Sequence, residues 1–131
     1  MNVSVLGTDY EIIWKKYDED EAFARLGCDG YCEGLTKRIV VCDMDTYKGY
    51  ENESDEVRRA SERAALRHEI VHAFFNESGL AASAHPSTGA FSLDEELIDW
   101  IALQGEKIYA TWAAAGCLDQ SCGESLGGCN V

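Results

Sequence analysis

A single proline, no apolar run of membrane-spanning length and almost no basic residues in the second half set the first limits on this chain. With 46% hydrophobic and 27% charged residues and so little proline, neither disorder nor a fibre is indicated. The absence of a long apolar run excludes a membrane helix. Met1 to Gly7 has no basic n-region and no extended apolar core, so no signal peptide is expected and the default location is cytoplasmic. Basic residues number 11 against 24 acidic, a net charge of −13, and after Arg67 only Lys107 remains. That argues against gripping nucleic acid through its phosphates, which needs clustered Lys and Arg. The acidic second half keeps the protein soluble and could favour cationic ligands or metal ions. At 131 residues the chain reads as one domain, long enough to bury a core without staples.

The six cysteines lack any CxxC spacing: three residues separate Cys28 from Cys32, and four separate Cys117 from Cys122. A zinc ribbon is therefore not indicated, and reduced thiols are the expectation, with disulfides or a second metal as alternatives. A second ion would draw on Cys117, Cys122 and Cys129 with Asp119 and Glu124.

What the chain does have is periodic. Asn2 to Leu6 and Tyr10 to Trp14 read as a hairpin turning at Gly7-Thr8-Asp9. The acidic run Asp18 to Glu21 followed by Ala22 to Leu26 and Gly27 suggests a short helix. Cys28 to Gly34 reads as loop, and Thr36 to Cys42 is the strongest strand. Met44 to Glu53 reads as loop. Ser54 should cap a long helix from Asp55 to about Asn76 or Ser78, stopped by Gly79, with Val57, Ala60, Ala64, Ile70, Val71, Phe74 and Phe75 as its apolar positions. Leu80 to Ala90 reads as a loop or lid. Ser92 should cap a second helix from Leu93 to about Ala115, interrupted near Gly105, with Leu97, Ile101 and Ile108 on one face. Gly116 ends it, and residues 117–131 read as an irregular Cys/Gly-rich tail. The sum is an α+β domain, a small sheet backing two helices.

The first helix carries Arg67-His68-Glu69-Ile70-Val71-His72, an HExxH motif. His68 and His72 stand one turn apart on one helix face, so both imidazoles can reach one tetrahedral metal, most often zinc. Glu69 is placed to take a proton from an attacking water. The uncharged flanks Leu66, Ile70, Val71, Ala73 and Phe74 suit a helix buried around its metal, although bare HExxH also arises by chance in Glu-rich helices.

A catalytic zinc needs a third protein ligand. Glu77 would point away from the histidine pair. His85 does not fit the extended motif HExxHxxGxxH, because Phe75 stands where Gly is needed and Ser78 where His is needed. Asp94 and Glu96 are further acids nearby, but Glu96 would face solvent. Glu95 and Asp99 lie four apart, hence on one helix face: Glu95 would complete a His-His-Glu site, and Asp99 would accept a hydrogen bond from a ligand His and fix its tautomer. The competing reading of Glu95 is a capping box, Ser92-x-x-Glu95.

HExxH followed on a later helix by ExxxD resembles the gluzincin metallopeptidases, with His68, His72, Glu95 and Asp99 matching position by position. Leu66 to Leu80 and Asp94 to Gln104 look like the small HExxH proteins of phages and prophages, which are minimal gluzincin-like domains, and the similarity extends upstream to Gly30 to Val41. It covers most of residues 28–110. The resemblance implies a zincin-like fold: a short twisted sheet, an HExxH helix and a second helix giving the Glu ligand. It also implies an edge strand, Thr36 to Cys42, that would pair with an extended peptide.

The expected function is therefore hydrolysis of a protein or peptide by a zinc held on His68, His72 and Glu95, with Glu69 as general base. His85, Tyr31, Tyr47 and Tyr50 are candidates to stabilise the oxyanion. The alternative is a non-catalytic domain of phage origin whose zinc holds two helices together. Glu69 favours the enzyme, since a structural site needs no acid there.

Overall fold

In the computed structural model, which describes residues 1–82, 84 and 89–119, the chain is α+β, with a small mixed four-stranded sheet and three helices. It opens with a hairpin of β1 (Asn2–Val5) and β2 (Thr8–Lys15), paired Val5 to Thr8 across a two-residue turn. Leu6 (φ 49°) and Gly7 (φ 85°) both take the left-handed conformation that a type I′ turn demands, so the turn is Leu6-Gly7 rather than Gly7-Thr8-Asp9. Helix α1 (Glu21–Leu26) is capped by Asp20, which accepts from Ala22 N, and stops at Gly27.

Cys28 to Gly34, expected as loop, contains strand β3 (Gly30–Glu33), which runs antiparallel to β4 (Arg38–Cys42). Strand β4 also pairs in parallel with β2, giving the order β1-β2-β4-β3. The strand expected at the edge is thus interior, and β3 is the edge on that side, with β1 at the other. Burial agrees: Ile39 to Cys42 are all buried, because a central strand is covered on both faces.

The sheet separates two cores. Tyr10, Ile12, Ile39 and Val41 face helix α2 (Asp55–Glu77) with Ala65 and Ala73. Val40, Cys42, Phe23 and Met44 form the opposite core with Tyr17, Tyr31, Tyr47 and Tyr50. Ser54 caps α2 as its sequence suggests, its hydroxyl accepting from Val57 N at 3.2 Å. The innermost line of α2 is not the apolar set read from the sequence: Val57 and Ala60 are exposed, whereas Glu62, Ala65, Glu69 and Ala73 are buried. Glu62 is accommodated because it accepts from Met44 N and pairs with Arg59. At the other end, Glu77 accepts from the Tyr10 hydroxyl at 2.7 Å and pairs with Lys37, tying α2 to the sheet; these two bonds hold its carboxyl down at about 2.

Helix α3 (Glu95–Ala115) runs without interruption at Gly105 and ends at Gly116. Its N-cap is Asp94, not Ser92: Phe91–Leu93 forms a short 3-10 turn, and the Ser92 hydroxyl donates instead to Leu80 O. The side buried against α2 is led by Ile98 and Ala102, with Leu97, Ile101 and Ile108 only half-buried. Among the described residues no helix is long and apolar enough to cross a membrane.

Candidate metal centre

Two helices bring the candidate ligands together. On α2, His68 and His72 share a face; their Nε2 atoms lie 3.1 Å apart. On α3, the Asp94 cap leaves the Glu95 side chain free of any capping duty. Its Oε2 lies 2.9 Å from His68 Nε2, and its Oε1 3.3 Å from His72 Nε2. Asp99, one turn on, places Oδ1 at 2.6 Å from His68 Nδ1. Glu96 is exposed, and Glu77 points away from the histidine pair, toward the sheet. Arg67, next to the motif, donates from Nε to Ala102 O at 3.1 Å and reaches toward Glu106, fastening α3 to α2 one turn from the ligands. Sequence reading did not single it out; its place beside His68 was the signal.

The chemistry of this corner is specific. If Asp99 accepts the Nδ1 proton, the Nε2 of His68 presents a lone pair. That lone pair, the Nε2 of His72 and the Glu95 carboxylate then converge within 3.3 Å. Such a triangle of acceptors is repulsive unless a proton or cation lies at its centre. Ligands bound tetrahedrally to zinc at about 2.0–2.1 Å are separated by about 3.3 Å, and two imidazoles with one carboxylate are a common zinc set. The three residues fit the ion, and they form a group able to hold a metal.

Burial pulls His68 down, but the Asp99 hydrogen bond and the charges of Glu69, Glu95 and Asp99 outweigh it, leaving the pKa above the ordinary imidazole value. For His72 burial prevails and, aided by His68, lowers the pKa against the pull of Glu95. His68 thus holds a proton more readily than His72.

The corner opens into a cleft of about 540 Å³ whose walls include Leu26, Cys28, Asp29, Gly30, Cys32, Ala64, Ala65 and Glu69. Glu69 is 6% exposed. Burial pushes its carboxyl up to about 7; His68 opposes, and the charges of Asp29 and Glu95 add. Gly30 on β3 lets Glu69 approach the sheet, because a Cβ there would meet Val40 O at 3.0 Å and Glu69 Cγ at 3.3 Å. Neither Gly30 nor Asp29 was legible as part of the site, since β3 itself was read as loop.

Of the oxyanion candidates, Tyr31 is among the residues lining the cleft. The Tyr31 hydroxyl donates to Asp20 at 2.6 Å, and Tyr47 and Tyr50 pack in the core behind the sheet. His85 lies outside the described residues, as do Cys122, Glu124 and Cys129 of the suggested second ion site. Cys28, Cys32, Cys42 and Cys117 are free thiols; burial pushes Cys32 up to about 12 and Cys42 to about 11, so neither is poised as a thiolate.

Compared with protein-family models, with curated proteins and with solved structures, the chain finds no match.

Proposed function

We propose that this protein is a zinc-dependent peptide hydrolase of minimal, gluzincin-like design, acting on a protein or peptide substrate. The observation that carries the reading is the convergence of His68 Nε2, His72 Nε2 and the Glu95 carboxylate at the mouth of a cleft that also holds Glu69. Zinc bound there would supply Lewis acidity, polarising a scissile carbonyl and lowering the pKa of water toward about 7.

The chain's own groups do the rest. Asp99 keeps the His68 proton on Nδ1 and its lone pair on Nε2. Glu69 takes the proton of the attacking water and delivers it to the leaving amine. Strand β3 offers its open edge to the substrate. Asp29 O accepts from Cys42 N at 2.8 Å, so in the antiparallel alternation the N–H and C=O of Gly30 and Cys32 turn outward, beside the cleft. An extended peptide adding to that edge would lay its backbone across the zinc corner. That role passes to β3 from the strand first assigned it. The layout of sheet, HExxH helix and Glu-bearing helix supports a zincin-like fold, and for a chain of phage origin the substrate would be a phage or host protein.

The alternative, a zinc that only holds helices together, predicts a site closed by a fourth protein ligand. Among the described residues the group has three. The test is incubation of zinc-loaded wild type and Glu69→Gln with a mixed peptide library, read by mass spectrometry. Cleavage by wild type and not by the variant is expected. Equal product from both, or none from either while zinc still raises the melting temperature, would turn the reading to the structural role.

A further inference from the structure

Among the described residues, helix α3 carries more apolar seam than the rest of the fold covers. Ile98, Ile101, Gly105, Ile108, Trp112 and Ala115 recur at alternating spacings of three and four, the pattern of a coiled-coil seam. Only its start is covered: Ile98 is fully buried, whereas Ile101 and Gly105 line an open apolar groove of about 550 Å³ beside Ile70, Val71 and Phe74 of α2. Beyond Ile108 every described residue is exposed, with Tyr109 at 61% and Trp112 at 52%. From Ile108 to Leu118 there is no charged side chain, in a chain carrying −13. A helix with an apolar stripe and no charge needs a surface against it.

We propose that this surface is a second copy of the chain, with the distal halves of two α3 helices packed antiparallel about a two-fold axis. Two features favour self-pairing. The first is complementarity: with the axis near Ala110, Ile108 meets Trp112 of the second copy and Gly105 meets its Ala115, so bulky residues interleave where the small ones let the backbones approach. The second is charge. Two copies of so acidic a chain repel wherever carboxylates face each other, and this stretch is the one long exposed segment among the described residues that brings none to the contact. Residues 105–115 span about 16 Å of a helix roughly 10 Å wide. Crossing there buries several hundred Å² in all, the range of a weak, concentration-dependent dimer.

Sedimentation velocity on the full chain tests this, over a range of concentrations and at low and high salt, with Ile108→Glu, Trp112→Glu and Leu103→Glu. Leu103 is exposed on the opposite side of α3 and serves as the control. The expected result is a concentration-dependent dimer in wild type and Leu103→Glu that tightens as salt screens the net charge, and monomers for the other two. Ile108 and Trp112 lie where α3 leaves the body, so unchanged melting temperatures will show that those variants still fold. A wild-type monomer under all conditions would overturn the proposal. So would a dimer that survives both seam substitutions, or one lost equally in Leu103→Glu.

Discussion

Asp99 Oδ1 lies 2.6 Å from Nδ1 of His68, and that contact decides which imidazole nitrogen faces the cleft. Asp99→Asn keeps the shape but removes the charge that holds the Nδ1 proton. Zinc affinity should fall by about 10–100-fold while stoichiometry at saturation stays unchanged. Titration against a competing chelator measures it, and unaltered affinity would remove Asp99 from the site.

Asp94, the residue before Glu95, caps helix α3 by accepting from Glu96 N at 2.9 Å. Asp94→Ala should cost about 1 kcal/mol of stability, the usual loss for an N-cap carboxylate. It should also weaken zinc binding, since fraying of the first turn releases Glu95. Ser92→Ala, by contrast, removes a bond to the Leu80 carbonyl and leaves the cap intact. Chemical denaturation with and without zinc separates the two; equal zinc loss in both would contradict the assignment of the cap.

Gly30→Ala brings a methyl group against Val40 O and the Glu69 side chain. The expected cost is about 1–3 kcal/mol of stability, with zinc retained and peptide hydrolysis reduced far more than zinc binding. A variant that hydrolyses normally would show that Glu69 does not depend on the glycine.

Asp20 ties α1 to the sheet: it accepts from Tyr31 and Lys15, and these bonds, with that from Ala22 N, hold its carboxyl down at about 2 against the opposing effect of burial. A depressed pKa stabilises the fold in full above the ordinary value near pH 4, and the contribution is lost as pH falls toward about 2. Asp20→Asn should therefore be about 1–2 kcal/mol less stable than wild type at neutral pH, with the gap closing through that acid window. Melting curves across pH check it; a gap constant with pH would deny Asp20 this role.

The candidate site was legible because helical spacing is rigid. His68 with His72 and Glu95 with Asp99 are each four apart, and no other arrangement of those helices was needed to put each pair on one face. Strand β3 was not legible, because Gly30-Tyr31-Cys32-Glu33 has no apolar alternation of its own and is a strand only through its pairing with β4. The same omission hid the edge of the sheet and made β4 seem exposed. Glu62 and Glu69 occupy buried positions of α2 that a hydrophobicity pattern assigns to solvent; the partners that admit Glu62, Met44 N and Arg59, come from a loop and the previous turn. Ser92 looked like a cap because the 3-10 turn that displaces it, Phe91–Leu93, leaves no mark in the sequence.

The most direct measurement is zinc per chain in purified wild type, Glu95→Ala and Glu96→Ala after loading and dialysis. Glu95 and Glu96 are both exposed neighbours on one turn, but only Glu95 stands within 3.3 Å of both imidazoles. About one zinc in wild type and in Glu96→Ala, with most of it lost from Glu95→Ala, is the result expected of a His-His-Glu centre. Zinc retained equally in both variants, or bound by none of the three, would contradict it.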